Sequence, residues 1–289
     1  MPFSARLAKI ILILCFLPAA AVTGAMAQSG PDEGLRRDVE FLSDSLCTGR
    51  KTGTAGSSAA SFYIIHHLRS LGYEVRVEAF GTSSGAVGHN IIGFKPGFTG
   101  RALLLMASYD GLGKIGGRFY PGADSNASGT AALLSLAERF KDRSDLVLAF
   151  VDGHNANLSG AEALKLSLRN VRLRMVASLD ILGSTLAPPD EFWKNYLIVL
   201  GGAPFRISLE KAGAGLHLYY DYYGSRPFTD LFYRKVSDHK VFLDRGIPVL
   251  MFTSGITLNT NREGDTWRTL DFPVFAKRVE AIGNWLENQ

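Results

Sequence analysis

Polar side chains that could do chemistry follow three short apolar runs, at the points where buried strands would end. They are Ser108 and Asp110 after residues 101–107, His154 and Asn155 after residues 145–151, and Asp180 after residues 174–179. In parallel α/β sheets the carboxyl ends of the strands are where ligands bind and reactions occur. Carboxylates, imidazoles and hydroxyls brought to one edge could hold a metal ion, move a proton or bind a charged ligand.

Strand and helix patterns alternate along the chain. Apolar or alternating runs predict strands at 73–79, 90–94, 101–107, 145–151, 174–179, 196–200 and 249–252. Helical spacing predicts helices near 31–42, 56–71, 128–139, 161–168, 205–212 and 272–286. This alternation predicts a single α/β/α sandwich domain over residues 28–289, with a mostly parallel sheet and helices on both faces.

The composition excludes several classes of protein. With 46% hydrophobic and 20% charged residues, the chain is neither disordered, collagen-like nor a coiled coil. Its net charge of +4 comes without a basic run, so we expect no nucleic-acid partner. Of the two cysteines, Cys15 and Cys47, only Cys47 lies beyond the apolar N-terminal stretch, which argues against a disulfide or a cysteine zinc site.

The N-terminus has the pattern of a secretory signal. Arg6 and Lys9 precede an apolar run at 10–17, and the small residues Ala25 and Ala27 form the pattern that precedes a cleavage site after Ala27. We therefore predict a signal peptide over residues 1–27 and an exported protein, periplasmic or secreted. No later apolar run is long enough to span a bilayer, so no membrane span is expected after cleavage.

Several segments, in this order and spacing, resemble the zinc aminopeptidase and glutaminyl cyclase family, metallopeptidase family twenty-eight. They are residues 49–54, 90–97, 108–110, 121–129, 152–160, 180–183, 237–239 and 259–267. The resemblance extends from Leu42 to the end of the chain. It implies a twisted, mixed eight-stranded sheet flanked by helices, with two zinc ions at the sheet edge and a glutamate as general base.

Carried over position by position, the resemblance implies that four of the five zinc ligands are replaced. Ser108, Ser125, Asn155 and Asn261 stand where the family has two histidines and two carboxylates, and Asp180 alone keeps its ligand type. Hydroxyls and amides are poor zinc ligands. We therefore expect no zinc cofactor, with a residual single zinc ion as the alternative.

The general base is also replaced, because His154 stands at its position. Other residues of the family's motifs are kept and are expected to line the cleft or to stand directly behind it. They are Asp110, Asp238, His239 and Asp265.

The first functional hypothesis is a non-catalytic pseudopeptidase that binds a peptide, an amino terminus or a partner protein in the former active-site cleft. Asp180, Asp124 or Asp110 would attract the ammonium group. The alternative is a divergent metal-dependent aminopeptidase or hydrolase with a shifted single-metal site of Asp124, His154 and Asp180. Two further hypotheses are a metal-free relay of Ser108 or Ser125 with His154 and Asp180, and a purely structural scaffold.

Three other patterns have competing interpretations. An aromatic cluster of Tyr219, Tyr220, Tyr222, Tyr223 and Phe228 could be packing or the wall of a pocket for an apolar side chain. Residues 81–85 match a nucleophile-elbow pattern and residues 111–116 match a dinucleotide-binding pattern. Neither is followed by a helical pattern, so both are predicted to be loops.

Overall fold

Eight strands form one mixed sheet in a computed structural model that describes residues 30–289. The strands are β1 (Glu74–Gly81), β2 (Val87–Phe94), β3 (Arg101–Ser108), β6 (Leu146–Val151), β7 (Arg172–Leu179), β8 (Tyr196–Leu200), β9 (His217–Tyr220) and β10 (Val249–Thr253). A separate short hairpin pairs β4 (Gly113–Ile115) with β5 (Arg118–Tyr120). The predicted signal peptide lies outside the described residues.

The strand order across the sheet is β1-β2-β6-β3-β7-β10-β8-β9. The four central strands, β6, β3, β7 and β10, run parallel to one another. β2 and β8 flank them in the opposite direction, and β9 lies parallel to β8 at one edge. The predicted mixed, mostly parallel eight-stranded sheet is confirmed.

Eight α-helices accompany the sheet in the described part of the chain. They are α1 (Pro31–Ser43), α2 (Ala55–Ser70), α3 (Ser128–Arg139), α4 (Ser159–Ser167), α5 (Arg206–Ala212), α6 (Arg226–Leu231), α7 (Lys240–Leu243) and α8 (Phe272–Leu286). Within residues 30–289, none of the helices has both the length and the hydropathy needed to cross a membrane.

The core has two layers, one on each face of the sheet. Leu103 and Leu105 of β3 pack into the layer formed with α1, α2, α3, α5 and α8. Leu104 and Met106 point to the opposite face and pack with α4 and α7. Successive strand side chains alternate between faces, and here both faces are buried. This explains why the central strands are continuous apolar runs.

One of the two discounted motifs is a turn, as predicted, whereas the predicted loop at 111–116 contains the short strand β4, which pairs with β5. Residues 81–85 end β1 and form the turn to β2, where Thr82 donates its backbone N–H to the carbonyl of Ala86. Residues 111–116 lead into and through β4. No helix starts at either place, so neither segment has the geometry of its motif.

Candidate active site

The candidate site lies where three neighbouring strands end. β6, β3 and β7 are adjacent and parallel, so their carboxyl ends meet at one sheet edge. A cavity of about 30 Å³ opens there, which is room for about one water molecule. Its lining residues are Ser108, Asp110, Ser125, Asn126, His154, Asn155, Asp180 and Asn261.

Asp265 and Asn126 position the loop that carries Ser125. The Asp265 carboxylate accepts the backbone N–H groups of Asp124 (2.7 Å) and Ser125 (3.1 Å). The Asn126 amide donates to the carbonyls of Ser108 (3.2 Å) and Leu179 (3.0 Å), the last residues of β3 and β7. Asn126 therefore ties this loop to two strand ends, a role that the sequence analysis did not assign.

Asp110 organises the loop after β6. Its carboxylate accepts the backbone N–H groups of His154 and Asn155, both at 3.0 Å, and the Asn155 side-chain amide at 3.2 Å. Burial raises the pKa of Asp110 to about 6, although the neighbouring His154 lowers it. This carboxylate is thus largely occupied in holding the loop.

His154 forms an ion pair with Asp238, whose Oδ2 lies 2.8 Å from the ring Nδ1. Burial lowers the pKa of His154, but Asp238, and after it Asp110 and Asp180, outweigh burial and raise the pKa to about 10. The ring is therefore an imidazolium at neutral pH. The position of the family's general base is held by a group that cannot accept a proton there.

Asp180 carries the carboxylate that remains available. Among the described residues, no hydrogen bond is donated to its side chain, although its backbone N–H donates to Phe252. Burial raises the pKa of Asp180 to about 6, with His154 opposing the rise. At pH 7 the cavity thus holds an anionic group that is free to bind a cation.

The residues present do not fit a zinc site. Ser125 Oγ lies 3.3 Å from Asn261 Oδ1, so two of the replaced ligand positions are hydrogen-bonded to each other. No group of three or more His, Cys, Asp or Glu residues within residues 30–289 could hold a metal ion. One carboxylate with neutral hydroxyls and amides is a weak donor set for zinc.

The structure does not assemble the shifted metal site that the sequence analysis considered. Asp124 does not line the cavity with His154 and Asp180. Its Oδ1 instead accepts hydrogen bonds from the Gly183 backbone (2.7 Å) and the Ser128 hydroxyl (3.1 Å). Burial and the nearby Asp265 raise the pKa of Asp124 to about 7. Asp124 therefore stabilises the loop that carries Ser125 from the side away from the cavity.

The metal-free relay is not assembled either. His154 pairs with Asp238 rather than Asp180. Ser108 Oγ instead lies near the Asn126 amide, at 3.4 Å, and Ser125 Oγ lies near Asn261. In the described structure neither serine is hydrogen-bonded to the imidazole, so the ring activates neither hydroxyl.

His239 lies behind the cavity. It is fully buried, and its Nε2 lies 2.7 Å from the backbone carbonyl of Tyr233, to which it donates. Burial lowers the pKa of His239 to about 4, so the ring is neutral at physiological pH. Of the two ionisable residues in the 237–239 motif, Asp238 contacts the site through His154, whereas His239 packs into the core.

A buried arginine holds the surrounding loops. Arg50 donates to the carbonyls of Tyr109 (2.8 Å), Pro121 (2.9 Å) and Gly122 (2.8 Å), and also to that of Leu42. It thereby fixes the loops that lead to Asp110 and to Ser125. The 49–54 motif is apparent in the sequence, but the role of Arg50 within it follows only from these contacts.

The aromatic cluster divides into two parts. Tyr219 and Tyr220 belong to the edge strand β9. Tyr222, Tyr223 and Phe228 line a cavity of about 370 Å³ together with residues 187–189, Gly224 and Ile256. Tyr223 is 6% exposed, and its hydroxyl has no partner among the described residues. Burial raises the pKa of Tyr223, and the charge of Asp180 raises it further, so the phenol lies within electrostatic reach of that carboxylate.

Comparison with known proteins identifies the family. The model of Peptidase family M28 matches residues 90–285. A glutaminyl-peptide cyclotransferase of Drosophila melanogaster is 29% identical over 243 residues, covering 72% of this chain and 67% of that protein.

Solved structures share the fold at low sequence identity. A zinc aminopeptidase from Bacillus subtilis superposes with a TM-score of 0.72 at 14% identity, covering 89% of this chain and 95% of its own. A Porphyromonas gingivalis glutaminyl cyclase gives 0.67 at 20% identity, covering 89% and 98%. The predicted family is confirmed: this chain belongs to peptidase family M28.

Proposed function

We propose that this chain is an exported, non-catalytic member of its family that binds the amino terminus of a peptide at Asp180. The observation that carries the proposal is the ion pair between His154 and Asp238, beside an Asp180 carboxylate that accepts no hydrogen bond from the described residues. The position of the base is thus occupied by a paired cation, while an anionic group is left available for a ligand.

Charge supports the binding of an ammonium group. Asp110, Asp180 and Asp238 surround the single imidazolium of His154, so the ionised site has an excess of negative charge. An ammonium group supplies three hydrogen-bond donors and one positive charge. Because the pKa of Asp180 is about 6, binding should weaken as the pH falls below that value.

The aromatic pocket supports a peptide whose first side chain is apolar. Tyr223 lines this pocket and is close enough to Asp180 to respond to its charge, so we assign the amino group of the ligand to Asp180 and its first side chain to the pocket. Cavities of a few hundred Å³ lined by aromatic side chains suit such groups. We therefore assign to this pocket the selection of the first residue of the peptide.

Chemistry is not expected at this site. His154 holds its proton at neutral pH, and the neutral side chains at the family's ligand positions are poor donors to zinc. Neither a proton acceptor nor a Lewis acid would be present to activate water.

Binding can be tested by isothermal titration calorimetry with the peptide Leu-Gly-Gly. We expect acetylation of its amino group to abolish binding, and Asp180→Asn to weaken it by at least about tenfold, in line with the loss of a charge-assisted contact. Asp142→Asn, at an exposed position outside the cavity, is the control. Equal binding of the acetylated peptide would overturn the proposal.

Catalysis can be tested on leucine p-nitroanilide and on a glutaminyl peptide, with and without added zinc. We expect no turnover of either. Turnover that disappears in Asp180→Asn and persists in Asp142→Asn would show that the site is catalytic and would overturn the proposal.

Export is proposed from the pattern of residues 1–27. The mature protein is expected to begin at Gln28. Mass spectrometry of the protein recovered outside the cytoplasm tests this, and an intact N-terminus would contradict it.

A further inference from the structure

A second cavity of about 470 Å³ adjoins the candidate site. We call it the Lys51 pocket. Its walls are Lys51 and Thr52, the β1–β2 turn, the loop before β4 and the loop after β6. The lining residues are Lys51, Thr52, Thr82, Ser83, Ser84, Ala86, Gly111, Leu112, Ile115, Asn155, Ala156 and Asn157.

The polar groups of this pocket suit an anion. None of its lining residues is acidic, and Lys51 is exposed and forms no ion pair with a described residue. Ser83 and Asn157 also line it, and neither side chain is hydrogen-bonded within the described part of the chain. An unpaired ammonium together with unused hydroxyl and amide donors is a set that a carboxylate can satisfy.

The two cavities meet at Asn155. This residue lines both of them, and its side-chain amide donates to Asp110 in the acidic cavity at 3.2 Å. Its carbonyl oxygen accepts no hydrogen bond from the described residues, so it can accept an N–H group of a peptide backbone. An acidic cavity and a cationic one therefore lie on either side of a single amide side chain.

We propose that the Lys51 pocket binds the C-terminal carboxylate of a short peptide whose amino terminus lies at Asp180. This inference rests on the proposed function and narrows its ligand to short peptides with both ends free. The charges of the site then complement both ends of the ligand. Each extended residue adds about 3.5 Å to a peptide, so the separation of the two cavities should favour one peptide length.

The test is calorimetry with Leu-Gly, Leu-Gly-Gly and Leu-Gly-Gly-Gly, each as the free acid and as the C-terminal amide. For the peptide length that binds best, we expect amidation to lower the affinity about fivefold. This corresponds to roughly 1 kcal/mol, the contribution of an ion pair that is partly exposed to water. Lys51→Gln should cause a similar loss for the acid and little loss for the amide. Lys114→Gln, an exposed lysine of β4 outside the pocket, is the matched control and should change nothing.

The outcomes separate this inference from the proposed function. If acids and amides bind equally at every length while acetylated peptides do not bind, this inference is overturned and the proposed function stands. A loss in Lys51→Gln that is the same for acid and amide also overturns it. If no peptide of the series binds, both are overturned.

Discussion

Removing the charge of Asp238 should destabilise the protein in a pH-dependent way. In the wild-type protein His154 Nδ1 lies 2.8 Å from the Asp238 carboxylate. The Asp238→Asn side chain has nearly the same volume and can still accept a hydrogen bond from His154 Nδ1, but it leaves the imidazolium without its closest anion. The pKa of His154 is raised from its ordinary 6.5 to about 10, so the folded state holds this proton more tightly than the unfolded chain does. The resulting stabilisation is complete below pH 6.5 and is lost as the pH rises through about 10.

The size of the effect follows from the same values. Each pKa unit corresponds to about 1.4 kcal/mol, so the rise to about 10 sets a ceiling of about 5 kcal/mol. The His154 side chain is 32% exposed, and water screens the pair. We therefore expect Asp238→Asn to lower the free energy of unfolding by about 2 kcal/mol at pH 6 and by less than about 0.5 kcal/mol above pH 10.

Urea unfolding at pH 6, 8 and 10.5 measures this difference, and NMR of the imidazole signals follows the protonation of His154. Asp244→Asn is the control, because it removes one partner of an exposed pair with Lys240 and should cost little at any pH. An Asp238→Asn effect that is the same at pH 6 and pH 10.5 would contradict this expectation. So would a wild-type His154 that titrates near pH 6.5.

Three further substitutions test how the site is held. Arg50→Lys should lower the free energy of unfolding by about 3 kcal/mol, because one ammonium cannot replace a buried guanidinium that donates to four backbone carbonyls; an unchanged urea midpoint would contradict this. The effect of Asp124→Asn on the free energy of unfolding should become more favourable by about 2 kcal/mol between pH 5 and pH 8. The pKa of Asp124 is raised to about 7, so ionisation of this buried carboxyl opposes folding of the wild-type protein as the pH rises. A pH-independent effect in the same assay would count against it. Gly160→Ala should cost at least about 2 kcal/mol, since its Cβ would lie 1.8 Å from the Asp152 carbonyl oxygen, and thermal unfolding should show the loss.

The sheet was predictable where the strands are buried on both faces. β3, β6 and β10 are continuous apolar runs, and their positions follow from the sequence to within two residues. The edge strand β9 was not predicted, because its residues are exposed or only half-buried and carry no such run. Edge strands need less apolar surface, so their pattern is weaker.

The candidate site was predictable in part. The ends of parallel strands identify which side chains share the sheet edge, and Ser108, His154 and Asp180 do lie together there. The pairing of His154 with Asp238 joins residues 84 positions apart. It depends on how the chain returns to the sheet after β9, which local patterns do not encode. The contacts of Arg50 go to backbone carbonyls, which every residue has, so no partner residue type marks them.

The zinc content of the purified protein distinguishes a binding site without metal from a zinc site of the family's kind. The protein is purified without chelators, exposed to zinc, desalted and measured by elemental mass spectrometry. The positive control is a variant in which the family's ligands and base are restored; its substitutions are Ser108→His, Ser125→Asp, His154→Glu, Asn155→Glu and Asn261→His. We expect this variant to retain zinc and the wild-type protein to retain almost none. About one or two zinc ions per wild-type chain would contradict the assignment of a non-catalytic binding site.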